Sequence, residues 1–131
     1  IHRDLKSLNV LLTDHERAKV ADFGLSREFV DGETMTVGIG TPHWLPYEIF
    51  DRQKYNHKLD IYSYGMMIWE CVTTEIPFSG MDAFSLIGKM LKDKNLRPPI
   101  PADCHPTIES LMKRCWHSNP KKRPEFSEII A

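Results

Sequence analysis

The hydrophobic and polar positions of the chain first form two short apolar runs. Val10 to Leu12 and residues 18–21 are mainly apolar, and the polar residues 13–17 separate them. Short apolar runs joined by a polar turn are typical of a small β-hairpin. Residues 25–41 follow and are rich in glycine, threonine, serine and charge, without periodicity, which predicts a long surface loop.

Helical patterns dominate the rest of the chain. Residues 57–74 are apolar nearly all round, which is typical of a buried central helix, and Pro77 ends it. Residues 82–92 predict a second helix with an apolar face. That face carries Phe84, Ile87 and Leu91, with Leu86 and Met90 beside them.

The clearest period lies in residues 107–118, which predict a third helix. Its apolar residues recur at i, i+3, i+4, i+7 and i+8, namely Ile108, Leu111, Met112, Cys115 and Trp116. The proline-rich residues 97–101 before it predict an extended connection. Pro120 stops the third helix, and a fourth begins near Glu125.

Composition and charge exclude several classes of protein. The chain has 131 residues, enough for one domain, and 41% of them are hydrophobic and 27% charged, which fits a globular fold. A net charge of −1 gives no basic field for nucleic acid. The strongly apolar residues 61–72 contain Glu70 and are too short to span a bilayer. Three cysteines without CxxC spacing indicate neither a disulfide framework nor a zinc site, and favour a reducing cytoplasm.

Two polar motifs flank the predicted hairpin. The first runs from Ile1 through His2, Arg3, Asp4, Leu5, Lys6, Ser7 and Leu8 to Asn9, and the second is Asp22-Phe23-Gly24. Asp4 offers a carboxylate that can orient a hydroxyl, and Lys6 offers a cation. Asn9 and Asp22 offer the oxygen ligands that magnesium prefers. The alternative is that these polar side chains only cap backbone groups in turns.

The two motifs resemble the catalytic loop and the magnesium-binding segment of protein kinases. The resemblance implies ATP and Mg²⁺ as cofactors and a protein hydroxyl as substrate. Asp4 would then act as the base, Lys6 would lie near the transferred phosphate, and Asn9 and Asp22 would bind magnesium. His2 would pack against the segment that contains Phe23 and Gly24. The implied fold is α+β and protein-kinase-like: a mainly α-helical C-terminal lobe with a small β-hairpin at the catalytic loop.

Further landmarks extend the resemblance over the whole chain. In protein kinases, a glutamate at the position of Glu48 pairs with an arginine at that of Arg123. An aspartate at the position of Asp60 holds the backbone of the catalytic loop. Thr41, in Gly40-Thr41-Pro42, is expected to contact the same loop, and Gly65 is another family landmark.

The motifs also point to a subgroup. Lys6 and the Gly40-Thr41-Pro42 run resemble serine/threonine kinases, whereas residues 68–70 and 112–124 resemble the tyrosine-kinase-like group, which includes Raf-like and mixed-lineage kinases. We therefore expect serine and threonine hydroxyls as substrates. One departure is that Pro46-Tyr47-Glu48 replaces the family's Ala-Pro-Glu, which puts the shape of the substrate-binding segment in question.

The resemblance also suggests control by phosphorylation. In this family, an arginine at the position of Arg3 is typical of kinases that are controlled by phosphorylation of their activation loop. Thr34 and Thr36 lie in residues 25–41, where a phosphate could pair with Arg3. The alternative is that both are ordinary solvated hydroxyls.

Measured against a whole kinase domain, residues 1–131 are expected to correspond to the part from the catalytic loop to the start of the last helix, without the N-terminal lobe. We therefore expect a partial domain whose central helix lacks a neighbour, and which alone binds ATP poorly and transfers no phosphate. The alternative function is that of a pseudokinase or a truncated interaction module. The expected location is the cytoplasm, or the cytoplasmic side of a membrane if the parent protein is a receptor.

Overall fold

The computed structural model describes residues 1–27 and 40–130, and most of its regular structure there is helical. Its α-helices are α1 (Lys58–Thr73), α2 (Ala83–Lys92), α3 (Pro106–Cys115) and α4 (Phe126–Ile130). Its strands are β1 (Val10–Leu12) and β2 (Ala18–Val20). Short 3₁₀ turns lie at Ser7–Asn9, Pro42–Trp44, Tyr47–Ile49 and Pro120–Lys122.

The predicted hairpin is confirmed. Strands β1 and β2 are antiparallel, and Val10 pairs with Val20. The second strand ends at Val20, one residue earlier than expected. The Ala21 N–H nevertheless donates to the Asn9 carbonyl oxygen over 2.8 Å. This bond continues the pairing by one step, so the residue before β1 lies beside the residues that follow β2.

Helix α1 lies at the centre of the structure and its residues from Leu59 to Glu70 are largely buried. The main hydrophobic cluster contains Trp44, Tyr62, Met66, Trp69, Leu86, Met90, Met112 and Trp116. The expectation that this helix lacks a neighbour is wrong for its apolar side chains. They pack against α3 and the turn at Pro42–Trp44, and Leu86 and Met90 of α2 belong to the same cluster. Val72 is the one large hydrophobic residue of α1 that is exposed.

Gly65 allows α1 and α3 to approach closely. A Cβ atom at this position would lie 2.9 Å from the Cys115 Cβ and 3.2 Å from the Trp116 backbone nitrogen. The first of these distances is shorter than two carbon atoms tolerate without movement. A residue without a side chain is therefore required where the two helices cross.

Helix α2 turns a different face to the core from the one that its sequence suggests. Leu86 and Met90 are fully buried, whereas Phe84 is 91% exposed and Leu91 is also exposed. Asp82 fixes the start of the helix, since its carboxylate accepts hydrogen bonds from the Ser85 N–H and hydroxyl. These bonds lower the pKa of Asp82 below its ordinary value of 3.8.

Helix α3 begins at Pro106 and ends at Cys115, three residues before the predicted end. Proline is well suited to the first turn of a helix, because its missing N–H needs no partner there. At the other end, the Trp116 carbonyl oxygen accepts two hydrogen bonds from the Arg97 guanidinium. The chain leaves the helical path at Trp116, where Arg97 holds the carbonyl oxygen.

One group of exposed large hydrophobic residues lies around the hairpin. Those in and beside it are Leu8, Leu11, Leu12, Val20 and Phe23.

Within residues 1–27 and 40–130, no helix is long and apolar enough to cross a membrane.

Candidate active site

Asp60 in the first turn of α1 fixes the backbone that leads into the candidate catalytic loop. Its carboxylate accepts the His2 N–H over 2.8 Å and the Arg3 N–H over 3.0 Å. Arg3 has a positive φ of 70°, which is unfavourable for a residue with a side chain. Because the buried Asp60 carboxylate holds this strained backbone, the Asp4 side chain projects from the loop in a fixed direction.

Asp4, Lys6 and Thr41 form a hydrogen-bonded group. The Lys6 ammonium donates to Thr41 Oγ1 over 2.8 Å, and the Thr41 hydroxyl donates to Asp4 Oδ1 over 2.9 Å. Lys6 Nζ and Asp4 Oδ1 are 3.9 Å apart, and the two side chains are only 17% and 15% exposed. The structure thus brings together a carboxylate and a cation that are largely shielded from solvent, with a hydroxyl between them.

Gly40 permits residues 40–48, here called the Thr41 segment, to pass against the candidate catalytic loop. Its φ of 91° lies in the region that favours glycine, and a Cβ there would lie 2.5 Å from the Arg3 carbonyl oxygen. Any other residue would push Thr41 away from Asp4. The glycine therefore contributes to the site without a side chain of its own.

Asn9 precedes β1 and Asp22 follows β2, and the backbone hydrogen bond from Ala21 to Asn9 holds the two ends of the hairpin together. The Asn9 amide nitrogen donates to the Asp4 carbonyl oxygen over 2.8 Å, which fixes the orientation of its buried side chain. Asp22 has a φ of 57° and its Oδ1 accepts the Gly24 N–H over 3.3 Å. Asp22 is exposed, so its carboxylate is accessible to a ligand.

The chemistry of these two donors fits Mg²⁺. With its nitrogen engaged, the Asn9 side chain has its amide oxygen left for a cation, and Asp22 adds a carboxylate. The described part of the chain contains no group of three or more His, Cys, Asp or Glu residues that could hold a metal. Mg²⁺ does not require one, because it usually keeps several waters and binds one or two protein oxygens together with phosphate oxygens.

His2 connects the catalytic loop to the Asp22–Gly24 segment, as the sequence suggests. Its Nε2 is 2.9 Å from the Ala21 carbonyl oxygen, and its Nδ1 accepts the Asp4 N–H over 3.2 Å. Because a carbonyl oxygen only accepts, the proton lies on Nε2. The His2 ring also meets the Phe23 ring edge-on, with 5.1 Å between centroids. His2 therefore holds the two segments together through two hydrogen bonds and a ring contact.

Glu48 and Arg123 form a buried ion pair. Arg123 Nη1 and Nη2 donate to the two carboxylate oxygens over 2.6 and 3.2 Å, and the side chains are 0% and 3% exposed. Pro46 leads into the 3₁₀ turn Tyr47–Ile49, so Glu48 reaches the interior although the usual Ala-Pro-Glu order is altered. The pair ties the end of the Thr41 segment to the chain before α4 and takes no part in the group around Asp4.

Glu70 and Ser7 lie beside the candidate site, although the motifs predicted no role for either residue. Glu70 accepts hydrogen bonds from the Ser7 hydroxyl, the Ser7 N–H and the Trp44 indole N–H. The available signal was the carboxylate of Glu70 within the strongly apolar residues 61–72. A charge in a helix that is buried nearly all round needs a specific partner.

The predicted regulatory residues Thr34 and Thr36 lie outside the described residues, so their phosphorylation stays a prediction. Arg3, their expected partner, is buried, and its Nε donates to the Leu25 carbonyl oxygen over 2.6 Å. The expected long loop is described only at residues 25–27 and 40–41, which form neither helix nor strand.

Comparison with known proteins agrees with this geometry. A family model described as protein tyrosine and serine/threonine kinase matches residues 1–131. The serine/threonine/tyrosine-protein kinase HT1 of Arabidopsis thaliana is 45% identical over 131 residues, which are 100% of this chain and 33% of that protein.

Two further relatives show the same relation. A probable serine/threonine-protein kinase of Dictyostelium discoideum is 43% identical over 130 residues, covering 99% of this chain and 14% of the relative. The serine/threonine-protein kinase STY17 of Arabidopsis thaliana is 40% identical over 130 residues, covering 99% and 23%. The chain thus spans a third or less of the length of these relatives. Because the family model matches the chain from end to end, the chain belongs to the protein tyrosine and serine/threonine kinase family.

Proposed function

We propose that the chain forms part of the large, mainly helical C-terminal lobe of a protein kinase. The kinase would transfer the γ-phosphate of ATP to the hydroxyl group of a protein substrate. The observation that carries this proposal is the group formed by Asp4, Thr41 and Lys6. In phosphoryl transfer the protein contributes mainly positioning and charge stabilisation, and these three side chains can supply both.

Asp4 is suited to orient the attacking hydroxyl. The Thr41 hydroxyl binds Oδ1, and the Asn9 amide makes only a long contact of 3.3 Å with Oδ2. Oδ2 can therefore accept a hydrogen bond from a substrate hydroxyl. It would receive the proton as the new O–P bond forms and the bond from the γ-phosphorus to the oxygen that leaves with ADP breaks. The Lys6 ammonium, held by Thr41, can stabilise the negative charge of the phosphate in transfer.

Asn9 and Asp22 are the residues that would hold magnesium in this proposal. When bound, the ion would neutralise negative charge on the phosphate groups. The Asn9 amide oxygen is oriented by the bond from its nitrogen to the Asp4 carbonyl. The Asp22 carboxylate is oriented by the Gly24 N–H. Both donors are therefore set by the backbone of the segments that flank the hairpin.

The type of hydroxyl that is phosphorylated is part of the proposal. Lys6 bonded to Thr41 supports serine and threonine, as the motifs suggest. The printed name of HT1 adds tyrosine for that relative. Peptides that differ only in carrying serine, threonine or tyrosine at the acceptor position distinguish the two specificities, and we expect phosphate on the serine and threonine peptides.

The central experiment replaces Asp4 with asparagine in the full-length protein. Asp4→Asn keeps the size and the hydrogen bond from Thr41 but removes the proton acceptor. We expect kcat for peptide phosphorylation to fall at least about 100-fold, the usual contribution of general base catalysis. The Michaelis constant for ATP should change little, because Asp4 is not one of the expected ATP ligands.

Asp14→Asn serves as the matched control, because Asp14 is an exposed aspartate between the two strands. It should retain the activity of the parent protein. If Asp4→Asn keeps the activity of the parent and of Asp14→Asn, the role proposed for Asp4 is wrong. If the parent itself transfers no phosphate, the alternative, a pseudokinase or interaction module, takes its place.

A further inference from the structure

A cavity of about 420 Å³ lies along helix α3, and none of the residues of the candidate active site lines it. Its volume falls within the range of about 300–1,000 Å³ that ligand sites usually have. The polar residues of its lining come from α3, from the segment that follows it and from the 3₁₀ turn Pro120–Lys122. They are Glu109, Ser110, Lys113, Arg114, His117 and Lys122.

The lining of this cavity is positively charged, although the chain as a whole is not. Three cations and one carboxylate line it, which gives a net charge of +2 against −1 for the whole chain. The carboxylate, Glu109, is already paired with Lys113 one turn along α3. Among residues 1–27 and 40–130, the side chains of Arg114 and Lys122 have no hydrogen-bond or ion-pair partner. Two cations are therefore available to an anion.

His117 adds an oriented N–H donor to the same lining. Its Nδ1 accepts the Asn119 N–H over 2.9 Å, so the neutral ring carries its proton on Nε2. The His117 carbonyl oxygen accepts the Nε–H of the buried Arg123 over 2.9 Å. The ring and the backbone of His117 are thus both held before any ligand binds, which lowers the entropy that binding costs.

The C-terminal end of α3 is also compatible with a negative charge nearby. Carbonyl groups at this end of a helix carry a partial negative charge and normally repel an anion. Here the carbonyl oxygens of Trp116 and His117 accept hydrogen bonds from the guanidinium groups of Arg97 and Arg123, which offset that charge. The helix dipole alone would account for cations in the last turn of α3, but not for Lys122, which comes from the following 3₁₀ turn.

The donors of the cavity match a phosphate monoester. Its dianion presents three strong acceptor oxygens. The planar guanidinium of Arg114 can bind two of these oxygens side by side, and the Lys122 ammonium adds a point charge. The lining contains no Phe, Tyr or Trp on which a nucleobase could stack, and no large hydrophobic residue that could hold a lipid chain. The phosphate group itself is therefore the part of a ligand that this cavity can recognise.

We propose that this cavity binds a phosphoserine or phosphothreonine side chain of another protein. Arg114 and Lys122 bind the phosphate oxygens, and the Nε2–H of His117 is a third donor. Because Arg114 and Lys122 are exposed, a phosphate on a short side chain can reach them without a change in the fold. The site goes beyond the proposed kinase function and does not depend on it, since binding requires neither Asp4 nor ATP.

Peptide binding to the full-length protein tests the proposal. The probe is a fluorescent peptide with one phosphoserine between neutral residues, and the comparison peptide has serine at the same position. Fluorescence anisotropy without ATP measures the dissociation constant of each. We expect the phosphoserine peptide to bind at least about tenfold more tightly, which is the contribution of one hydrogen bond between charged groups.

Two variants assign the binding to this cavity. Arg114→Gln and Lys122→Gln each remove one cation, and each should weaken binding of the phosphoserine peptide about tenfold. Lys92→Gln is the matched control, because Lys92 is an exposed lysine of α2 that does not line the cavity. It should bind the peptide like the parent. Since all three residues are exposed, the variants should stay folded, and circular dichroism at the assay temperature checks this.

Several results would overturn the proposal. Equal affinity for the phosphoserine and serine peptides would show that phosphate is not recognised. Equal affinity of the parent, Arg114→Gln and Lys122→Gln would show that the peptide binds elsewhere. Equally tight binding of a peptide with two glutamates in place of phosphoserine would show a general attraction to negative charge.

The remaining alternative is a small phosphate compound as the ligand. If free phosphoserine binds with dependence on Arg114 but the phosphoserine peptide does not bind, the ligand is not a protein segment and the proposal is wrong. None of these results affects the comparison of Asp4→Asn with the parent. Failure of this inference is therefore distinguishable from failure of the proposed function.

Discussion

At the scale of single residues, buried charges determine how the segments of the site are held. Asp60 holds the catalytic loop through two backbone N–H groups, Glu48 holds Arg123, and Glu70 joins Ser7 to Trp44. Each carboxylate is buried and each has specific donors, so removal of one partner leaves an uncompensated group in the interior.

Arg123→Met tests this at the Glu48 pair. The substitution leaves the Glu48 carboxylate buried without its cation, and also removes the bond from Arg123 Nε to the His117 carbonyl oxygen. We expect the free energy of unfolding to fall by about 3–5 kcal/mol, the usual effect of breaking a buried ion pair. Urea unfolding measures it. The double variant Glu48→Leu/Arg123→Met should be more stable than Arg123→Met, and an equal or lower stability would contradict the argument.

At the scale of secondary structure elements, the crossing of α1 and α3 depends on close contact at Gly65. An added Cβ favours the helix by about 1 kcal/mol. Overpacking against Cys115 and Trp116 costs about 1–3 kcal/mol. We therefore expect Gly65→Ala to lower the free energy of unfolding, since the clash with backbone and Cβ atoms cannot be relieved by rotating a side chain.

Gly88→Ala in α2 is the control for this prediction. A Cβ at Gly88 meets no atom within 4 Å. Only the helix propensity should change, so this variant should be stabilised by about 0.5–1 kcal/mol. Thermal melts of the two variants should shift in opposite directions. A shift of both to higher temperature would show that the α1–α3 contact is looser than described.

At the scale of the whole molecule, Glu125 links α4 to the start of α1. Its carboxylate contacts Lys58 Nζ at 2.6 Å and His57 Nε2 at 2.8 Å. Hydrogen bonding to Lys58 and, secondarily, to His57 lowers the pKa of Glu125 below its ordinary value of 4.5. A lowered pKa in the folded state stabilises the protein above the unfolded pKa, and this contribution is lost as the pH falls through the folded value.

The pH dependence of stability measures this link. The difference in free energy of unfolding between the parent and Glu125→Gln should be constant around neutral pH. It should shrink below pH 4.5. Since His57 also faces Glu125, His57→Ala is measured in parallel to separate its own titration. A difference that grows on acidification would show that the sign of the pKa shift is wrong.

Much of this architecture could be predicted because it depends on local patterns. The hairpin follows from two short apolar runs, α1 from its apolar residues, and the positions of Asp4, Asn9 and Asp22 from motifs with fixed spacing. The motifs also predicted that Glu48 pairs with Arg123 and that Asp60 binds the backbone of the catalytic loop. The structure contains both sets of contacts.

The remaining features depend on contacts that are distant in sequence. The end of α3 is set by Arg97, which precedes the helix and binds the Trp116 carbonyl. The buried face of α2 could not be chosen, because the helix has apolar residues on two sides and only packing selects Leu86 and Met90. The role of Glu70 requires Ser7 and Trp44 to be near, which nothing in its own helix indicates.

The close approach at Gly65 also gives the molecule a chemical reporter of its own opening. Burial raises the pKa of the Cys115 thiol to about 11, so in the closed structure it is protonated and shielded. Cys71 on α1 is exposed. A disulfide reagent therefore modifies Cys71 directly but reaches Cys115 only when α1 and α3 separate. The ratio of the modification rate of Cys115 to that of Cys71 therefore measures how often α1 and α3 separate.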